Sequence, residues 1–86
     1  MAVVVVLPAL LAREAGGRKR IEVEAATVGD ALRSLPVADL LFDEHGELRR
    51  LVNVYVDGTD FREADGVETA LAGGETVLVL QAVAGG

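Results

Sequence analysis

The stretch Thr76-Val77-Leu78-Val79-Leu80-Gln81-Ala82-Val83-Ala84-Gly85-Gly86 decides how the rest of the chain is read. Thr76 to Leu80 is a β-branched and aliphatic run with strand character. Ala84-Gly85-Gly86 carries almost no side chain and ends at a carboxylate. Such a strand anchors the segment in a core while its end projects outward. Glycines lack a Cβ, so the tail fits extended in a channel too narrow for other residues. Its carboxylate then stays open to attack from every side. Small residues alone do not separate a working tail from an ordinary loose terminus. The direct passage from strand to glycines, with no polar linker, favours a working tail.

Outward from that strand, the chain of 86 residues is sized for one domain. The reading places that domain at residues 1–83, with residues 84–86 as a flexible glycine tail. A domain this small must build its core from compact aliphatic side chains, and the composition is 51% hydrophobic but only 3% aromatic. The absence of cysteine excludes disulfides, thiolate metal sites and cysteine nucleophiles. A net charge of −6 argues against binding a phosphate backbone and suits a partner with a basic patch. Lys19 is the only lysine, so no basic stripe for nucleic acid or membrane is present. The apolar start, Ala2 to Ala12, is broken by Pro8 and has no basic residue before it. It reads as a buried first strand rather than a signal peptide, which predicts a cytoplasmic protein.

Val3 to Leu7 is the first strand, because four consecutive valines favour extended backbone. Pro8 ends it, Ala9 to Glu14 reads as a short turn, and Gly16-Gly17 is a loop. Arg20 to Ala25 alternates polar and apolar and forms an antiparallel hairpin with the first strand. Thr27 is a helix N-cap with Asp30 three residues on. Val28, Ala31, Leu32 and Leu35 make one apolar stripe, and Pro36 stops the helix at Leu35. Val37 to Phe42 adds a helical turn with Leu40 or Leu41 inward. Leu51 to Val56 is the third strand and Asp57-Gly58 its tight turn. Thr59 to Arg62 returns as a short strand, and Val67 to Leu71 is one helical turn before the last strand. The order β, β, α, β, short β, β places the first and last strands side by side and parallel. A mixed sheet with one main helix across one face is the α+β β-grasp arrangement.

Nothing in this order assembles a catalytic group. His45 is the only histidine and sits in the polar loop Asp43-Glu44-His45-Gly46-Glu47 without a second metal ligand. No nucleophile stands with a base, and Gly16-Gly17 and Gly73-Gly74 are turns rather than phosphate loops. The chain therefore reads as a non-enzyme that binds no metal or cofactor itself.

Thr27-Val28-Gly29-Asp30-Ala31-Leu32, Leu51-Val52-Asn53-Val54-Tyr55-Val56 with Asp57-Gly58, Gly74-Glu75-Thr76-Val77 and the Ala84-Gly85-Gly86 end recur in one family. Across nearly its whole length the chain resembles the ThiS/MoaD family of ubiquitin-like sulfur carriers, most closely the MoaD-like, CysO-type members. It departs from the family pattern at Gln81, where proline is common, and at Gly74-Glu75, where Gly-Asp is commoner. The resemblance implies that an E1-like enzyme uses ATP and magnesium to adenylate Gly86. A sulfur donor then converts Gly86 to a thiocarboxylate. A sulfur-acceptor synthase draws on that sulfide to make cysteine, molybdopterin, a thiazole or a secondary metabolite. Gly85 keeps the approach narrow. The alternatives are a ubiquitin-like modifier of lysines and a structural subunit whose tail plugs a partner's active site.

Strand alternation and the helix stripe predict a core of Val3, Val5, Leu7, Ile21, Val23, Val28, Leu32, Leu35, Val52, Val54, Val56, Leu71, Val77 and Val79. Leu51, Tyr55, Leu78 and Leu80 fall out of phase with that set. They predict an exposed apolar patch on the uncovered face of the sheet, which docks partner enzymes together with Val83 and Ala84 of the tail.

Overall fold

The computed structural model describes residues 2–81. The expected boundary between domain and tail, and the tail residues Val83, Ala84, Gly85 and Gly86, lie outside the described residues. Within them a five-stranded mixed sheet is ordered β2-β1-β5-β3-β4. Its strands are β1 (Ala2–Val6), β2 (Arg20–Glu24), β3 (Val52–Val56), β4 (Thr59–Asp60) and β5 (Thr76–Gln81). β1 and β5 run parallel at the centre with Val5 beside Val77. β2 flanks β1 and β3 flanks β5, both antiparallel. Parallel neighbours cannot be joined by a tight turn, and here all the intervening elements form the crossover between them.

Alternation along the strands sets the core. Val3 and Val5 of β1, Val77 and Val79 of β5, and Val52 and Val54 of β3 are buried on one face. Helix α2 (Val28–Arg33) covers them with Val28, Ala31 and Leu32, followed by Leu35 beyond its end. The cap is as expected: the Asp30 N–H donates to Thr27 Oγ1 at 3.1 Å, satisfying one orphan donor of the first turn. Helical winding stops at Arg33, two residues before Leu35, where the Ser34 hydroxyl donates to the Ala31 carbonyl at 2.8 Å. The following α3 (Ala38–Leu41) buries Leu41 and leaves Leu40 outside.

The main correction falls at Ala9 to Glu14, which is a helix, α1, rather than a turn. All six residues are good helix formers except for the weak apolar periodicity that concealed them. Pro8 starts the helix instead of merely ending β1, its carbonyl accepting from the Ala12 N–H at 2.8 Å. α1 buries Leu11 and Ala12, with Ala15 beside them, all absent from the expected core. Ala31, Val37, Leu41 and Phe61 are likewise buried, while Val23 and Val56 are only half-buried at strand margins. The expected strand over Thr59 to Arg62 is shorter: β4 holds two residues, and Phe61–Glu63 turns into a 3₁₀ segment. The helical turn expected over Val67 to Leu71 is a 3₁₀ turn at Gly66–Glu68.

Asp57-Gly58 forms the β3–β4 turn with positive φ at both residues, 48° and 88°. That backbone matches the right-handed twist of a hairpin and suits Asp-Gly. The same Asp57 reaches across to β5, where its Oδ1 accepts from the Thr76 N–H at 2.9 Å. Its own N–H donates to the Thr76 carbonyl at 3.0 Å. The start of the last strand is thus clamped to the hairpin turn.

Candidate functional site

Among the described residues, no helix covers the face of the sheet opposite α2. Register across it sets Val6, Leu78 and Tyr55 side by side on β1, β5 and β3. Arg20 lies opposite Val6 at one end of this row and Asp60 opposite Tyr55 at the other. An apolar strip between charged margins is the usual anatomy of an interaction surface. Val4 sits beside Thr76 in the next row, and Leu80 pairs with Asn53 in the row nearest the tail. Leu51 and Leu80 are 43% and 41% exposed. Tyr55 and Leu78, expected to be exposed, are half-buried by their neighbours in the sheet. Val4 and Val6 extend the strip onto β1. The signal for them was present, since they stand out of phase with the buried Val3 and Val5.

A polar cluster fixes one rim of the strip. Arg62 Nη2 donates to Asn53 Oδ1 at 2.7 Å and to Asp60 Oδ2 at 3.2 Å, and Arg62 Nε donates to Asp60 Oδ1 at 3.2 Å. This side-chain hydrogen bonding from Arg62, with the Arg62 backbone N–H adding to it, holds the Asp60 carboxyl below its ordinary range. The pairing leaves an oriented guanidinium at the edge of the apolar strip. Charged residues at sequence positions 60 and 62 gave no hint of this, because the third partner, Asn53, comes from another strand.

The turn that launches β5 is held by Glu75. Its Oε2 accepts from the Ala72 N–H and its Oε1 from the Gly73 N–H, each at 2.7 Å. The Ala72 bond, then the Gly73 bond, pull the Glu75 carboxyl below its ordinary value. Glu75 thus closes the turn through its own side chain. β5 continues as strand through Gln81, so the family's proline position is occupied by a residue in the ladder opposite Val52.

His45 is exposed in its loop, its backbone N–H donating to Asp43 Oδ1 at 2.9 Å. The Glu47 N–H adds a second bond to the same oxygen at 3.0 Å, and these bonds, Glu47's the stronger, lower the Asp43 pKa. Among the described residues no three histidine or carboxylate side chains gather as metal ligands, and no helix is long and apolar enough to cross a membrane. Gly86 and Gly85, the expected chemical centre, and Val83 and Ala84, expected to dock, follow β5 outside the described residues.

Comparison with known proteins shows the family of the chain. The ThiS family model matches residues 5–86, from the first strand through both terminal glycines. The chain belongs to the ThiS family. It is similar to the sulfur carrier protein CysO of Mycobacterium tuberculosis, 37% identical with both chains covered in full. The crystal structure of that M. tuberculosis protein superposes with a TM-score of 0.81, covering 94% of this chain and 99% of that one at 34% identity. A crystal structure of an Amycolatopsis orientalis BexX/CysO complex matches at TM-score 0.81 and 34% identity, covering 98% and 99%. Small archaeal modifier protein 3 of Haloferax volcanii is 42% identical over 86% of this chain and 88% of its own. These ThiS-family likenesses span the sheet, the helices and the turn before β5, so the β-grasp fold holds throughout.

Proposed function

We infer that the chain is a sulfur carrier whose working group is the carboxylate of Gly86. The observation that carries this reading is the reach of the ThiS family match through Gly85-Gly86, beyond a last strand rooted in the core at Val77 and Val79. A carboxylate is a poor acyl donor, and an E1-like enzyme using ATP and magnesium makes it a good one. Its carboxylate oxygen attacks the α-phosphorus, pyrophosphate leaves, and the acyl-adenylate forms. Sulfide then adds to the Gly86 carbonyl carbon and AMP departs with the former carboxylate oxygen, leaving the thiocarboxylate. The acceptor synthase takes that sulfur into cysteine, molybdopterin, a thiazole or a secondary metabolite. The chain itself is a substrate in these steps rather than a catalyst, binds no cofactor of its own, and works in the cytoplasm.

The open sheet face, with Leu51, Tyr55, Leu78 and Leu80, docks the activating enzyme and the acceptor synthase in turn. Support for a protein partner comes from the Amycolatopsis orientalis relative, which crystallised as a complex with BexX. The similarity to a small archaeal modifier protein supports a second role, attachment of Gly86 to lysine amines, because the activation step is shared. Intact-mass spectrometry after incubation with the cognate activating enzyme, ATP and sulfide tests the carrier reading. Wild type exchanges one oxygen for sulfur at the C-terminal peptide, and a folded variant lacking Gly86 does not. Sulfur uptake by the Gly86-deleted chain would overturn it. Conjugates on cellular proteins would establish the second role.

A further inference from the structure

The end of β5 lies near exposed apolar side chains on both sides of the sheet. Leu80 lies on the open face, and Gln81, next in the alternation, lines a groove of about 410 Å³ on the helical side. Leu10 of α1 and Leu40 of α3 line the same groove and are 64% and 41% exposed. Each belongs to a Leu-Leu pair whose other member, Leu11 or Leu41, is buried in the core. One leucine of each pair therefore holds its helix to the sheet, and the other is left to the groove. Single exposed leucines are ordinary on protein surfaces, but here two from separate helices line one groove. Arg13 and Arg49 stand at its rim with Glu14 as the only lining carboxylate among the described residues, and Asp43 lies within electrostatic reach of Arg49. Two arginines against one carboxylate in the lining set this groove apart on a chain of net charge −6.

We propose that this groove is a second docking site for the adenylating enzyme, occupied by a segment of that enzyme that pairs an aliphatic side chain with a carboxylate. The proposal rests on the carrier reading above. Five residues, 82–86, follow Gln81 and reach at most about 17 Å when extended. An enzyme that adenylates Gly86 therefore brings its surface to the end of β5. An interface of ordinary size covers about 800 Å² on each partner, enough to take in both the open face at Leu80 and the groove at Leu10 and Leu40. The aliphatic side chain enters between the two leucines. The carboxylate meets Arg13 and Arg49, whose attraction is screened by salt.

Calorimetry with the cognate adenylating enzyme, ATP and magnesium tests the site with two carriers, Leu10→Glu and the double variant Arg13→Glu with Arg49→Glu. Both changes lie on exposed side chains, and thermal melts followed by circular dichroism verify the fold. The expected result is binding weakened tenfold or more in each, with melting unchanged and wild-type Gly86 still gaining sulfur. Wild-type affinity falls more steeply with salt than that of the double variant. Wild type that charges normally while both variants bind within twofold of it overturns the groove and leaves the carrier reading standing. Wild type that gains no sulfur overturns both. Should Leu10→Glu melt early, the double variant alone decides.

Discussion

Val54 shows what a single residue contributes here. It is fully buried between Val79 across the ladder and the helical layer above. Val54→Ala removes two methyl groups where the surroundings cannot easily close, so the chain loses about 1–3 kcal/mol, a large share of a small domain's stability. An unchanged urea midpoint would show that the residue faces elsewhere. Glu75 acts through hydrogen bonding instead. Its folded carboxyl titrates below the ordinary 4.5, chiefly because the Ala72 N–H, then the Gly73 N–H, bond its charged form. A depressed acid stabilises the fold above its unfolded pKa and loses that stability as pH falls through the folded one. Glu75→Gln is therefore less stable than wild type at neutral pH, and the gap narrows below pH 4.5. Denaturation melts of the two proteins at a series of pH values measure this, and a gap independent of pH would contradict it.

The elements are short, so their ends matter. α2 has only six residues, too few to persist without a cap and a packed face. Thr27 supplies the cap and Val28, Ala31 and Leu32 the face. Thr27→Ala should cost about 1 kcal/mol with the sheet intact, read as a lowered melting temperature with unchanged far-UV spectrum. α2 also passes close to the 3₁₀ turn at Gly66–Glu68. A Cβ on Gly29 would lie 3.0 Å from the Val67 carbonyl oxygen and 3.3 Å from its Cβ. Glycine in the Thr27 to Leu32 motif is thus a packing requirement between two elements, not only a helix-start signature.

At the scale of the whole molecule, one sheet separates two surfaces and carries the last strand between them. The open face bears Val6, Leu78, Tyr55 and Leu80; the other holds the core and, at its margin, the α1–α3 groove. Leu80 is exposed, so Leu80→Asp should leave the melting temperature within a degree or two of wild type while weakening the activating-enzyme complex at least tenfold. Calorimetry against that enzyme is the measurement, and equal affinities would move the docking surface away from the open face.

The sequence by itself determined the succession of strands along the chain, the parallel pairing of first and last strands, the capped helix and the glycine end. Each rests on local chemistry: β-branched runs, a 3.6-residue stripe, Asp-Gly at a hairpin, threonine before a helix. Only the tertiary structure decided that Ala9–Glu14 is helical, because six residues carry too little periodicity and the docking of Leu11 and Ala12 on the sheet supplies the stabilisation. Tertiary structure alone also put Leu10 and Leu40 on one groove and set Arg62 on Asn53. Those partners are separated by thirty and nine positions in the chain, and proximity across elements is fixed by packing, which no local pattern encodes.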